Sequence, residues 1–292
     1  MKHFIYGIKY LSKYWLLGKA DPLILGLTLN TGCNLKCRHC AVIKRPKWSL
    51  SFNEAVTIID NFYSKGGRSL ILTGGEPFLW QDNSYAVEDI VNYAMDKGFY
   101  TVIIYTNGTI SLESGANTIF VSIDGTREVH DSLRGESFER IINNIRISHH
   151  PSIYINYTIN SVSKPVVEEF LQYVDKIPQI KGTFFYVHTP YYGYDELFID
   201  KSAGKDVLLE LLELKKRYKV LNSVPGLKSA IRNDWKKNIE SCVIYDEGKY
   251  YNCCTDNNNG KTCTDCGYLS YTEIDQTLKL KPGAIVNALK YF

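Results

Sequence analysis

Cys33, Cys37 and Cys40 stand in the run Thr-Gly-Cys-Asn-Leu-Lys-Cys-Arg-His-Cys, directly after the apolar stretch Leu23 to Leu29. Three thiolates leaving a strand together can hold three irons of a four-iron cluster, and the fourth iron then has no protein ligand. An open iron is a place for chemistry. Three cysteines do not close a metal site by themselves, because structural zinc takes four ligands and bacterial ferredoxin clusters take a fourth cysteine. His39 could complete a Cys3His zinc site, so zinc stays open as an alternative at this point.

A second group weighs against zinc. Leu-Ile-Leu-Thr-Gly-Gly-Glu-Pro, Leu70 to Pro77, ends the next apolar run with two glycines and a carboxylate. Glycines let a ligand approach the backbone closely, and an acid at that place can accept a hydrogen bond from an ammonium.

With both groups in view the chain resembles the radical SAM enzymes. Their Cys-x3-Cys-x-aromatic-Cys signature reads here as Cys33, Cys37, His39 and Cys40, and their Gly-Gly-Glu motif as Gly74, Gly75 and Glu76. The resemblance implies a [4Fe-4S] cluster whose unique iron is chelated by the amino and carboxylate groups of S-adenosyl-L-methionine. Val-Ser-Ile-Asp-Gly (Val121 to Gly125), His130, Asp131, Leu133 to Gly135 and Ser137-Phe138 narrow it to the branch with anaerobic sulfatase-maturating enzymes. By that resemblance Ser122 contacts the ribose, Arg134 pairs with the methionine carboxylate, and Asn160 contacts ribose or methionine. Asp124 and Gly125 read as turn formers.

Cys242, Cys253, Cys254, Cys263 and Cys266 form a second group near the C-terminus. It resembles the start of the cysteine-rich SPASM and twitch extensions, which carry auxiliary [4Fe-4S] clusters. The full SPASM pattern needs seven cysteines; the five here imply one twitch-like auxiliary cluster. Its implied ligands are Cys242, Cys253, Cys263 and Cys266, with a zinc ribbon of the same four as the alternative. Cys254 is then spare, and its thiol is a candidate hydrogen-atom donor. Tyr245 to Asn252 reads as a hairpin turning at Glu247-Gly248.

The elements that must position these groups alternate along the chain. Strands are expected at Leu23 to Asn30, Ser69 to Thr73, Tyr100 to Tyr105, Thr118 to Ser122, Ile153 to Asn160 and Gly182 to His188. Helices are expected near Ser51 to Ser64, Tyr85 to Lys97, Ser137 to Ser148, Pro165 to Val174 and Gly204 to Arg217, the first opened by a Ser51–Glu54 capping box. The connection Ile110 to Ala116 is short enough to be a single turn. Repeated β-then-α units require right-handed crossovers and a parallel sheet. Six units are too few for a closed eight-stranded barrel, so the expected fold class is α/β, a partial (β/α)6 TIM-like barrel with a small cysteine-rich C-terminal extension. The division reads as an N-terminal helical segment over 1–22, the barrel over 23–220 and the auxiliary-cluster region over 221–292.

In such folds ligands gather where strands end. The strand ends carry the cysteine triad, then Gly74-Gly75-Glu76, then Thr106-Asn107-Gly108, then Ser122 to Gly125, then Thr158 and Asn160, then His188. His188 is a candidate substrate ligand or proton carrier. Tyr186, Tyr191, Tyr192 and Tyr194 can form apolar walls with polar tips.

Net charge is +3, which gives no electrostatic case for nucleic acid. Eight cysteines in two metal-like groups point to a reducing cytoplasm rather than to disulfides. Residues Met1 to Ala20 interleave apolar side chains with lysines, which fits neither a signal peptide nor a membrane span. They read as a helix packed across the barrel or as one touching a membrane or lipid substrate. The expected activity is reductive cleavage of S-adenosylmethionine to a 5′-deoxyadenosyl radical, which abstracts hydrogen from a peptide or small molecule. A flavodoxin- or ferredoxin-type protein is the expected electron donor. The residues before Leu23 leave no room for a peptide-recognition domain, so a leader-guided peptide would need a separate chain. A lipid or sugar substrate is the alternative, and a non-catalytic iron–sulfur or zinc-stabilised protein is the reading of another class.

Overall fold

All six apolar runs become strands of one sheet in the computed structural model, which describes residues 2–18, 21–191, 193–252 and 263–291. They are β1 (Ile24–Thr28), β2 (Ser69–Thr73), β5 (Thr101–Thr106), β6 (Thr118–Ser122), β7 (Ile153–Ile159) and β8 (Ile180–Val187), with a two-residue hairpin, β3 (Gln81–Asp82) and β4 (Tyr85–Ala86), set apart. The six pair in chain order and in parallel. Such strands are covered on both faces, which is why they read as near-continuous apolar runs.

Two more strands extend the β1 edge. β9 (Cys242–Asp246), expected in the C-terminal extension, pairs in parallel with β1, and β10 (Lys249–Asn252) folds back antiparallel on it. The hairpin turn at Glu247-Gly248 is as expected. The sheet also curls. Strands three apart in a flat sheet lie about 14 Å from each other, yet the hydroxyls of Tyr105 on β5 and Tyr186 on β8 are 3.4 Å apart. The free edge of β8 is covered by residues 219–222. Leu221 donates to the Thr183 carbonyl and the Asn222 amide closes on both the N–H and the carbonyl of Phe185.

Helices α2 (Phe52–Ser64) and α3 (Val87–Lys97) cover the outside of β1, β2 and β5 through Ile59, Phe62, Ile90 and Val91. The Ser51–Glu54 capping box is present in both directions. α5 (Phe138–Ile147), α6 (Val167–Val174) and α7 (Lys201–Leu214) cover β6 to β8 with Ile141, Ile145, Phe170 and Leu211. No helix links β5 to β6. α4 (Arg127–Arg134), missing from the expected elements, lies between β6 and α5. α8 (Val224–Arg232), α9 (Ser270–Leu278) and α10 (Pro282–Tyr291) follow α7 and pack on one another.

The N-terminal helix α1 (Lys2–Leu17) crosses the base of the barrel. The Tyr6 hydroxyl donates to the Gly66 carbonyl, the Tyr6 ring meets Tyr100 edge-on, and the Tyr10 hydroxyl reaches Asp21 and Ser241. Those partners lie just before β2, β5, β1 and β9, so α1 sits at the opposite end of the strands from the cysteine triad.

Candidate functional site

The cysteine loop and the glycine loop are docked backbone to backbone at the ends of β1 and β2. Gly75 N–H donates to the Asn30 carbonyl and Glu76 N–H to the Gly32 carbonyl, both at 2.8 Å. This contact explains the glycines. A Cβ on Gly75 would lie 2.1 Å from the Gly32 carbonyl oxygen, and one on Gly74 would lie 2.5 Å from that of Asn30. Their first task is thus to let two loops touch.

Glu76 is buried and its carboxylate is largely spent inside the protein. It accepts from the Thr106 hydroxyl at 2.7 Å, the Asn107 N–H at 2.7 Å and the Phe78 N–H at 3.1 Å. Burial pushes its carboxyl up against the pull of those donors. Glu76 thereby locks the end of β5 to the end of β2. Asn107 carries the lock on to the cysteines, its Nδ2 reaching Asn34 Oδ1 at 2.9 Å and Cys33 Sγ at 3.6 Å.

Arg134, at the end of α4, approaches the triad from the other side. Its Nε donates to Asp124 Oδ2 at 2.6 Å and its Nη1 lies 3.9 Å from Cys37 Sγ. Asp124 is fully buried, accepts from the Thr158 N–H at 2.7 Å, and stands 3.5 Å from His39 Nε2. Burial alone would raise its carboxyl, but the Arg134 and His39 charges and the hydrogen bonds hold it below the usual carboxylate range. Sequence reasoning took Asp124 for a turn residue; it is the carboxylate that orients Arg134. Gly125 does sit in a turn, with φ of 114°.

Burial raises the Cys33 and Cys37 thiols. It lifts Cys37 to about 11 against the opposing charge of Arg134, and lifts Cys33 against the Leu35 N–H and the Asn107 amide. His39 is driven the other way, to about 4, by burial and by Arg134.

Ser122 ends β6 and pairs in register with Asn156 on β7. Asn156 Oδ1 is buried without a hydrogen-bond partner, and so is His39 Nδ1. Asn160 differs from both. Its Oδ1 accepts from the Val162 and Ser163 N–H groups at 3.0 Å each, so its side chain caps the following turn. Asn156 was not singled out from sequence, although an Asn inside Tyr-Ile-Asn-Tyr is a polar break in a buried strand and a usable signal.

His188 sits beyond the end of β8, buried, with Nε2 at 3.0 Å and 3.1 Å from the two Asp195 carboxylate oxygens. Its ring stands 6.5 Å from that of His39, nearly perpendicular. Arg38, His39, Cys40, His188, Tyr191 and Tyr194 help to line one cavity there. The segment after His188 is tied on both sides. Arg38 pairs with Glu196 at 2.5 Å, and the Tyr194 hydroxyl donates to Asp265 at 2.6 Å. Tyr192 lies outside the described residues.

Asp265 belongs to the second cysteine group, which meets the barrel at β8. Val187 N–H donates to the Gly267 carbonyl and Gly267 N–H to the Thr189 hydroxyl, each at 3.0 Å. The Tyr268 ring lies 5.0 Å from Tyr186, and burial raises both the Tyr105 and Tyr186 phenols. Cys253 and Cys254 lie outside the described residues. Among the described residues, no three His, Cys, Asp or Glu side chains are gathered closely enough to hold one metal ion.

Residues 27–162 match the Radical SAM superfamily. The chain carries a radical SAM domain over those residues. The matched residues hold the triad, the glycine loop, Ser122, Asp124, Arg134 and Asn160. The chain is similar to an AdoMet-dependent heme synthase of Methanosarcina barkeri (strain Fusaro / DSM 804), 32% identical over 57% of this chain and 50% of that protein. It is similar also to an Fe-coproporphyrin III synthase of the same organism, 32% identical over 61% of this chain and 46% of that protein. The chain thus spans about half the length of the curated relatives it matches. In fold it resembles Streptococcus suis SuiB bound to the precursor peptide SuiA, with a TM-score of 0.66, 15% identity, and 84% of this chain and 62% of that one covered.

A radical SAM domain implies a [4Fe-4S] cluster and S-adenosylmethionine, and the site suits both. The triad sulfurs meet donors, Leu35 N–H and Asn107 Nδ2 at Cys33 and the Arg134 guanidinium at Cys37, as thiolates around a metal require. Asn156 Oδ1 and His39 Nδ1 are polar atoms in want of a partner beside the same strand ends. No helix among the described residues is long and apolar enough to cross a membrane.

Proposed function

We propose that this chain is a radical SAM enzyme that reductively cleaves S-adenosylmethionine and uses the 5′-deoxyadenosyl radical to take hydrogen from a small-molecule or peptide substrate. The observation that carries the reading is the backbone docking of Gly74-Gly75-Glu76 onto the cysteine loop, with Arg134 reaching Cys37 from the other side. Cys33, Cys37 and Cys40 would each hold an iron of the cluster, which supplies one electron to the sulfonium when bound. Arg134 keeps its terminal nitrogens for the methionine carboxylate because Asp124 already holds Nε. The glycine loop serves the amino group, and Ser122 with Asn156 the ribose; the amide of Asn160 is occupied by its own turn.

The cavity beside Cys40 suits a planar substrate group, since its lining brings two imidazoles together with tyrosine rings. His188, held by Asp195, is the candidate to contact it. A lipid delivered along α1 is less well supported, because that helix lies at the far end of the strands.

One auxiliary cluster on Cys242, Cys253, Cys263 and Cys266 completes the reading. That ligand set rests on the cysteine spacing: Cys263 and Cys266 precede Gly267 at the end of β8, whereas Cys242 opens β9 beside Ile24 at the start of β1. Those four cysteines would hold a fully protein-ligated cluster, which would supply electron relay rather than substrate binding. A flavodoxin- or ferredoxin-type protein is the proposed donor, and the thiol-ligated sites suit a reducing compartment such as the cytoplasm. The test is 5′-deoxyadenosine production after anaerobic reconstitution, with S-adenosylmethionine and a strong reductant. Wild type is expected to form it and the Cys33→Ala/Cys37→Ala/Cys40→Ala variant is not. An iron-loaded wild type that forms none would overturn the proposal.

A further inference from the structure

The base of the barrel carries an apolar surface that no step of the proposed reaction uses. On α1, Ile5 is 48% exposed, Ile8 52%, Trp15 60% and Leu16 82%. Spacings of three, seven and one place these four along one stripe of the helix. The stripe cannot roll inward, because the opposite side is fastened. Tyr6 and Tyr10 make the hydrogen bonds to Gly66, Asp21 and Ser241, and the Trp15 indole donates to the Leu278 carbonyl at 3.1 Å while its ring stays outside.

The charged side chains of α1 itself have one sign. Met1 to Ala20 contain Lys2, Lys9, Lys13 and Lys19 and no Asp or Glu, in a protein whose net charge is only +3. Lys9 and Lys13 are exposed on α1, and the first acidic residue, Asp21, is paired with Lys13. Trp15 abuts the end of α9, where exposed Leu280 stands between Lys281 and Lys279, the latter paired with Asp275 at 2.7 Å. An apolar stripe with a tryptophan and flanking lysines fits the boundary between acyl chains and anionic headgroups, where the lysine stems lie along the hydrocarbon and their ammonium groups reach the phosphates.

We infer that α1 docks the protein onto an anionic lipid surface. Docked in this way, the triad and its cavity face away from the bilayer, since α1 and the cysteine loop lie at opposite ends of strands about 17 Å long. The surface anchors the enzyme, and substrate enters from the aqueous side.

The test is sedimentation of the full chain with vesicles of phosphatidylcholine and phosphatidylserine at a 7:3 ratio, against phosphatidylcholine alone, at low and near-physiological salt. Wild type is expected to bind the anionic vesicles at least about tenfold more tightly than the neutral ones, with a blue shift of Trp15 emission and weakening as salt rises. Ile8→Glu/Leu16→Glu is expected to lose this binding about tenfold or more while keeping its helical circular dichroism and its 5′-deoxyadenosine yield. Equal binding to neutral vesicles, no binding to either, or unchanged binding by the folded variant would each overturn the inference. So would a wild-type dimer that the same substitutions dissociate without any change in vesicle binding, because a second copy would then be the occupant. None of these outcomes depends on the cluster, so failure here leaves the proposed reaction standing.

Discussion

Replacing Asp124 by Asn removes one charge and almost no volume, at the point where the site depends on a buried ion pair. The side chain is fully buried, and its Oδ2 accepts from Arg134 Nε at 2.6 Å. In the metal-free protein Arg134 has no second anion to fall back on. Cys37 is 3.9 Å away, but burial lifts its thiol to about 11, so it is protonated near neutral pH. Asp124→Asn therefore leaves a guanidinium buried and uncompensated, a loss of about 3–5 kcal/mol. The amide can still accept from Thr158, so little of that loss comes from the neutral hydrogen bond. Denaturant unfolding of the iron-free protein measures it, and Asp124→Asn/Arg134→Met is the partner variant. With both charges gone the double variant is expected to recover at least about 2 kcal/mol of the single variant's loss. It should still fail to bind S-adenosylmethionine, because the carboxylate's partner is missing. A loss below about 1 kcal/mol for Asp124→Asn, in the range of exposed pairs, would refute the reasoning.

Other substitutions separate the remaining parts of the account. Gly75→Ala must push two backbones apart, since its Cβ would meet the Gly32 carbonyl at 2.1 Å, so 5′-deoxyadenosine formation should fall by at least about a hundredfold; Gly204→Ala on α7, with nothing within 4 Å, should leave it unchanged. His130 is buried and held near about 4 by burial and by Arg134, below its ordinary 6.5. Unfolding in acid lets it take up a proton, so its contribution is fully present above pH 6.5 and is lost as pH falls toward 4, about 3 kcal/mol in all. His130→Gln should flatten the acid limb of stability against pH by about that amount, and an unchanged limb would show that other groups set it. Cys263→Ala/Cys266→Ala should remove about four irons per chain while leaving the signal that responds to S-adenosylmethionine; full iron content would place the second cluster elsewhere.

The strands were legible because a parallel sheet is buried on both faces, so Leu25, Leu70, Val102 and Ile119 sit in apolar runs too short for helices. α4 was not legible. Its buried side chains include His130 and Arg134, satisfied by Ser137 and Asp124 rather than by apolar packing, so no apolar period marks it. Cys242–Asp246 was read with the cysteine group that it opens. Its partner β1 lies more than two hundred residues earlier, and periodicity does not name partners. In the site, the triad and the glycines stood out by type and spacing, whereas Asp124 looked like a turn because Gly125 follows it. Its burial beside Arg134 is a tertiary fact, as is the inward place of Asn156.

The central claim is that Cys33, Cys37 and Cys40 hold a cluster with an iron open to S-adenosylmethionine. Electron paramagnetic resonance of the reduced, reconstituted protein, recorded with and without S-adenosylmethionine, tests it most directly. The account predicts a cluster signal that changes when S-adenosylmethionine is added to wild type, and no responsive signal in Cys33→Ala/Cys37→Ala/Cys40→Ala. A wild-type signal indifferent to S-adenosylmethionine, or a responsive signal that survives loss of the triad, would contradict it.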